Sequence, residues 1–105
     1  MVDIRWIRQR AKEGRYQISS HAEEERQDEE ISIPDIQRAL CEGEILEQYE
    51  IRKDVRGNAC LVLGFTESGR AVHIVAAQMP SSMMRIVTVY IPKCPHWLSP
   101  RRRGC

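Results

Sequence analysis

The sequence predicts an α+β domain in which N-terminal helices pack on one face of an antiparallel sheet of four, possibly five, strands. Two observations lead to this prediction. Apolar residues recur at helical spacing up to Gly43 and at every second position after it. The second half contains four strand-like segments separated by turn sequences. A chain of 105 residues has the size of one domain. We expect that domain to span residues 1–98, with a basic tail at 99–105.

Three helices are predicted in the first half of the chain. The first begins after Asp3, a good N-cap residue, and ends near Gly14. The second begins at Ser20, which is expected to form a capping box with Glu23. The third begins at Ser32, and its buried stripe is expected to comprise Ile36, Ala39 and Leu40.

Four strands are predicted in the second half, in the segments EILEQY, ACLVLGF, AVHIVAA and MRIVTVYI. The short segment RYQIS, between the first two helices, is the candidate for a fifth strand. Side chains alternate between the two faces of a strand, so we expect aliphatic residues under the helices and polar ones on the open face. In the last strand we expect Val87, Val89 and Ile91 under the helices and Ile86, Thr88 and Tyr90 on the other face. The expected polar set of the open face is His73, Thr88 and Tyr90.

Composition and charge favour a cytoplasmic protein without a membrane partner. No stretch reaches the length of a membrane-spanning helix, and MVDIRWIRQR lacks the apolar core of a signal peptide. The four cysteines are widely spaced, so we expect reduced thiols, with Cys41 and Cys60 in the core. The net charge of +1 argues against tight non-specific binding of nucleic acid. Basic segments at either end still allow a local basic groove.

No motif indicates a cofactor or a metal. The chain has no glycine-rich phosphate loop, no G-x-S-x-G and no H-E-x-x-H. Cys94, His96 and Cys105 are close in sequence, but their spacing matches no standard zinc pattern. We therefore expect neither a cofactor nor a metal site.

The remaining polar residues suit one reaction that needs no cofactor, the cleavage of RNA by its ribose 2′-OH. A base takes the 2′ proton, a cation stabilises the phosphorane, and an acid protonates the leaving 5′ oxygen. His21, His73 and Tyr90 are the candidates for proton transfer, and a structural role for each histidine is the alternative. The candidates for substrate binding are Arg56, Arg70, Arg85 and Thr88.

Three segments together resemble the domain of unknown function 4258 family over roughly residues 16–98. They are ISSHAEEERQDEEISIPDIQRALCEGEILEQY, RGNACLVLGFTESGRAVHIV and RIVTVYIP..HW. The distinctive marks are the His-Ala pair that opens a charged helix, the GEILE segment and the two strand motifs. The resemblance implies the fold of RelE/ParE and BrnT toxins and, with it, a bacterial ribonuclease toxin. An antitoxin, such as a YgiT-type zinc-finger protein, is the partner that it implies.

The resemblance also assigns site residues by position. It implies catalytic roles for His21, Arg26, His73 and Tyr90, which match the family's histidines, arginine and tyrosine. Glu30 stands where the family commonly has glycine. An endoribonuclease is the leading hypothesis. A non-catalytic protein-interaction domain and an RNA-binding domain without cleavage remain as alternatives.

Overall fold

The computed structural model describes residues 1–49 and 58–104 and has the predicted α+β architecture. The helices are α1 (Ile4–Lys12), α2 (Ser20–Asp28) and α3 (Ile33–Glu42). The strands are β1 (Tyr16–Ile18), β2 (Glu44–Tyr49), β3 (Ala59–Phe65), β4 (Ala71–Gln78), β5 (Met84–Tyr90), β6 (Trp97–Ser99) and β7 (Arg102–Arg103). Among the helices described, none combines the length and the apolar character needed to cross a lipid bilayer.

Five strands form the main sheet in the order β1-β5-β4-β3-β2, and β6 and β7 form a separate hairpin. Strands β2 to β5 are antiparallel neighbours, as predicted. The fifth strand, β1, runs parallel to β5, so the sheet is mixed and not antiparallel throughout. A parallel pair needs a long crossover connection, which here contains α2, α3 and three strands. Local sequence patterns do not show such a distant pairing.

The main core lies between the helices and one face of the sheet. The predicted stripe of α3 is fully buried there, together with Ile7 from α1 and the aliphatic face of β4. Gly64 lets α3 lie directly on β3, because a Cβ at this position would be 2.4 Å from the Ala39 Cβ. Cys60 belongs to this core, as expected, and Cys41 is partly buried against it. Both are free thiols.

A β-bulge changes the expected faces of β5. Val75 pairs with Thr88, whereas the next residue, Ala76, pairs with Ile86, so Val87 is an extra residue in the strand. Ile86 and Val89 therefore both face the helices, and Val87 does not join the core. The prediction placed Val87 in the core and Ile86 on the open face, and it was wrong at both positions. Strict alternation cannot detect a single inserted residue.

The helix ends follow the predicted capping chemistry with one exception. Asp3 caps α1, and Ser32 and Asp35 form a capping box at α3. Helix α2, however, is capped by Ser19 and not by Ser20, since the Ser19 hydroxyl accepts from the Ala22 N–H at 3.0 Å. The same hydroxyl donates to the Val87 carbonyl, which ties the start of α2 to β5.

Glu30, two residues after the end of α2, has a left-handed backbone conformation with φ of 56°. Its N–H donates to the Gln27 carbonyl, and the Ile31 N–H donates to the Arg26 carbonyl at 2.7 Å. This pair of hydrogen bonds is the Schellman motif, in which glycine is the preferred left-handed residue. The geometry explains why a glycine would suit this position.

Candidate functional site

The open face of the sheet carries a row of side chains from four strands. Backbone pairing aligns Glu44 on β2, Leu63 on β3, His73 on β4 and Tyr90 on β5. His73 and Tyr90 are therefore direct cross-strand neighbours, and their rings meet edge to face with centroids 5.2 Å apart. This confirms that both side chains lie on the face opposite the helices.

The C-terminal hairpin covers this row. Trp97 on β6 is only 4% exposed. Its ring packs edge to face against the His73 ring, with the two ring centroids 4.3 Å apart. Arg101 and Arg103 form ion pairs with Glu44 and Glu47 on β2, at 2.6 and 2.7 Å. The predicted boundary between residues 98 and 99 falls within β6, and the hairpin continues to Arg103, with Trp97 as its apolar contact to the sheet.

His73 is fully buried, and both of its ring nitrogens have partners. Nε2 lies 2.7 Å from the Pro100 carbonyl oxygen, and Nδ1 lies 3.1 Å from the Tyr90 hydroxyl. A carbonyl only accepts, so Nε2 must carry the hydrogen of the neutral ring. The lone pair of Nδ1 then accepts from the Tyr90 hydroxyl. Burial lowers the pKa of His73 below its usual value, so the ring is neutral at pH 7.

Tyr90 connects this buried imidazole to the solvent-exposed surface. Its side chain is partly buried, and burial raises the pKa of the phenol above its usual value. The phenol therefore keeps its proton at neutral pH. With that proton directed at His73, the oxygen has two lone pairs. The Trp97 side chain is hydrogen-bonded to this oxygen, and the second lone pair can accept from a ligand.

A groove of about 610 Å³ lies beside the Tyr90 side chain, between the end of β5 and the hairpin. It is lined by Tyr90, Ile91, Lys93, Cys94, Pro95, His96, Trp97 and Arg103. The groove thus combines two cationic side chains and an imidazole with aromatic surface. This combination suits a ligand that carries several negative charges and planar rings able to stack.

Carboxylates already neutralise Lys93 and Arg103, the two cations among the described lining residues. Lys93 Nζ lies 3.2 Å from Glu29 Oε1. The Arg103 guanidinium binds both oxygens of Glu47, lies 4.6 Å from the Trp97 ring, and holds the pKa of Glu47 below its usual value. An incoming phosphate must therefore replace these carboxylates.

A second polar cluster lies at the edge of β5. Strand β1 pairs with β5 only as far as Ile86, so the rest of this edge has no strand partner among the described strands. Glu25 on α2 replaces that partner: it accepts from the Val89 N–H at 3.0 Å and from the Thr88 hydroxyl. His21 Nε2 is 3.3 Å from the same carboxylate, and its side chain is 70% exposed. The Thr88 hydroxyl thus serves this edge contact, and His21 is not among the groove-lining residues.

The structure gives the predicted arginines different surroundings. Arg26 pairs with Glu23 at 2.6 Å, and Arg70 donates to the carbonyls of Glu29 and Glu30. The Arg70 contacts hold the C-terminal end of α2, whereas the Arg26–Glu23 pair lies within the helix. Arg85 lies on β5 beside Gln17 of β1, and Arg56 lies outside the described residues. Of the predicted residues that the structure describes, it brings His73 and Tyr90 into contact, and of this pair Tyr90 lines the groove.

Sequence reasoning missed the residues that complete this groove. Lys93, His96, Trp97 and Arg103 fall in a proline-rich segment that predicts extended chain. The one available signal was Trp97, a large apolar residue in an otherwise polar tail, which indicates an anchor. Within the described parts of the chain, no group of three or more metal-binding side chains is present.

The family comparison agrees with the resemblance seen in the sequence. Residues 18–91, more than half of the chain, match the model of the family described as Domain of unknown function (DUF4258). No curated protein and no solved structure matches the chain. The matched region includes α2, α3 and the whole of β2 to β5, with both His73 and Tyr90. The chain therefore belongs to the DUF4258 family.

Proposed function

We propose that this protein is the toxin-like domain of a bacterial toxin–antitoxin system and that it cleaves RNA through the 2′-OH by a metal-independent mechanism. Such an enzyme would act in the cytoplasm, where its RNA substrate is found. The observation that supports this proposal is the Tyr90 phenol, held by a buried neutral imidazole at the wall of a cation-lined groove.

The hydrogen-bond order of the pair suits the removal of the 2′ proton. As the ribose 2′-OH gives its proton to the Tyr90 oxygen, the phenol proton passes to Nδ1 of His73. The 2′ oxygen forms its bond to phosphorus, and the bond to the 5′ oxygen breaks. The products are a 2′,3′-cyclic phosphate and a 5′-hydroxyl. The Glu47 carboxylate favours the resulting imidazolium, whereas the Arg103 charge opposes it.

Lys93 and Arg103 are the cations available to the phosphorane. Both must leave a carboxylate partner when they bind a phosphate oxygen. Both pairs are at least partly open to solvent, which screens the attraction that this exchange gives up. A doubly charged phosphorane attracts them more strongly than the singly charged substrate does, which is the condition for catalysis.

The proposal includes a protein partner. The family resemblance implies an antitoxin, such as a YgiT-type zinc-finger protein. An antitoxin that covers the groove would block access to Tyr90. Co-expression with the adjacent gene, followed by purification, tests whether the two proteins form a complex.

The direct test is cleavage of a single-stranded RNA oligonucleotide by the purified protein. We expect a 2′,3′-cyclic phosphate product, no cleavage of the DNA copy, and a loss of about 100-fold or more in Tyr90→Phe. Tyr16→Phe is the matched control, because Tyr16 packs against the helix-side core and is absent from the groove lining. Intact RNA with the wild-type protein, or equal rates for Tyr90→Phe, would contradict the proposal.

A non-catalytic interaction domain that kept this fold is the second candidate. The observation that favours it is the pairing of Lys93 and Arg103 with carboxylates, so the cations among the described lining residues are already neutralised. The two functions differ in one result. A non-catalytic domain binds its protein partner through the groove and leaves the RNA intact.

A further inference from the structure

We propose that His96 is the catalytic acid that protonates the 5′ oxygen as it leaves. This inference rests on the proposed ribonuclease function and adds a residue that neither the sequence patterns nor the family resemblance assign. In the reaction above, the Tyr90–His73 pair accepts one proton from the 2′-OH. The departing 5′ alkoxide needs another, because an alkoxide is a very poor leaving group.

Of the three histidines, His96 alone lines the groove. His73 cannot reach a substrate, because its ring is fully buried and both nitrogens are hydrogen-bonded. His21 is exposed on α2 and lies beside Glu25, at the edge of β5. His96 and Tyr90 line the same groove of about 610 Å³, and the acid role requires one bound phosphodiester to contact both residues.

The backbone on either side of His96 is fixed. Its carbonyl accepts from the Gly104 N–H at 2.8 Å, and the following N–H, of Trp97, donates to the Lys93 carbonyl at 2.9 Å. The Trp97 indole is buried against His73. His96 itself is exposed, so a rigid segment presents a solvent-accessible imidazole to the groove.

The two cationic side chains of the groove, Lys93 and Arg103, are poorer acids. A guanidinium or an ammonium holds its proton too tightly to transfer it near neutral pH, whereas an imidazolium releases one readily. Lys93 and Arg103 therefore suit charge stabilisation, and His96 suits proton transfer. The protons balance. Tyr90 gives its proton to Nδ1 of His73 and takes the ribose proton, His96 gives a proton to the 5′ oxygen, and exchange with water restores both histidines.

The experiment compares two RNA oligonucleotides, one of them with sulfur in place of the bridging 5′ oxygen at the cleavage site. A thiolate leaves without protonation, because thiols have a pKa of about 8.5. With ordinary RNA, we expect His96→Ala to lose about 100-fold or more in rate. With the sulfur-containing RNA, we expect His96→Ala to approach the wild-type rate, whereas Tyr90→Phe remains slow.

Each outcome decides between the proposals. Cleavage of ordinary RNA by His96→Ala at the wild-type rate overturns the role of His96 and leaves the ribonuclease proposal standing. An equal loss on both substrates also overturns the acid role. If the sulfur-containing RNA restored the cleavage rate of His21→Ala and not that of His96→Ala, the catalytic acid would be His21, at the edge of β5. Failure of the wild-type protein to cleave either substrate overturns the ribonuclease proposal, and this inference falls with it.

Discussion

Trp97→Ala tests whether the C-terminal hairpin is held by apolar burial or by its ion pairs. The indole is 4% exposed, and truncation of a buried aromatic residue costs about 3–5 kcal/mol. The ion pair of Arg101 with Glu44 is exposed, and such a pair contributes about 0–1 kcal/mol. We therefore expect Trp97→Ala to lower the free energy of unfolding by about 3 kcal/mol and Arg101→Ala by less than about 1 kcal/mol.

Local unfolding sets a limit on this loss. The hairpin can detach while the main sheet stays folded, so the cost of Trp97→Ala cannot exceed the free energy that docks the hairpin. Detachment would also expose His73 and bring its pKa back toward the ordinary value of 6.5. Urea unfolding monitored by circular dichroism measures the loss in the free energy of unfolding, and an NMR titration of the His73 ring measures its pKa.

The two measurements together can refute this reasoning. A loss below about 1 kcal/mol for Trp97→Ala would show that burial of the indole does not hold the hairpin. Equal losses for Arg101→Ala and Trp97→Ala would show that the ion pairs hold it. An unchanged His73 titration in a destabilised Trp97→Ala protein would show that the hairpin is not what desolvates the ring.

Three further predictions concern His73, Glu30 and Glu25. Because the unfolded chain binds a proton at His73 more readily than the folded protein does, stability should fall as the pH drops from 7.5 to 5.5, and His73→Gln should remove this fall in urea titrations. Glu30→Gly should raise Tm by about 4–8 °C, since relief of a left-handed residue gains about 1 kcal/mol; an unchanged or lower Tm in calorimetry would contradict it. Glu25→Ala should speed hydrogen exchange at the Val89 amide by about tenfold or more, because that N–H loses its acceptor; unchanged protection would contradict it.

The sequence was sufficient for the elements whose signals are local. The predicted caps at Asp3 and Ser32 and the buried stripe of α3 agree with the structure, because side-chain capping and helical periodicity act within a few residues. The same holds for the four main strands. The parallel pairing of β1 and the bulge at Val87 were not predictable, since both depend on contacts between distant segments.

The site was predictable in part for the same reason. Alternation along β4 and β5 placed His73 and Tyr90 on one face, and strand pairing made them neighbours. The hairpin that buries His73 has strands of three and two residues, which are too short to give a periodic signal. Without the hairpin, sequence reasoning could not foresee the burial of His73 or the presence of His96 and Arg103 in the groove.

The central claim is that the neutral His73 ring carries its hydrogen on Nε2 and accepts from Tyr90 at Nδ1. Nitrogen-15 NMR of the histidine rings at pH 7 measures this directly. We expect the Nε2–H tautomer for His73, with an Nδ1 shift that changes in Tyr90→Phe as the donor is lost. An Nδ1–H tautomer or an imidazolium at this pH would contradict the claim, because Nδ1 could then take no proton from the phenol.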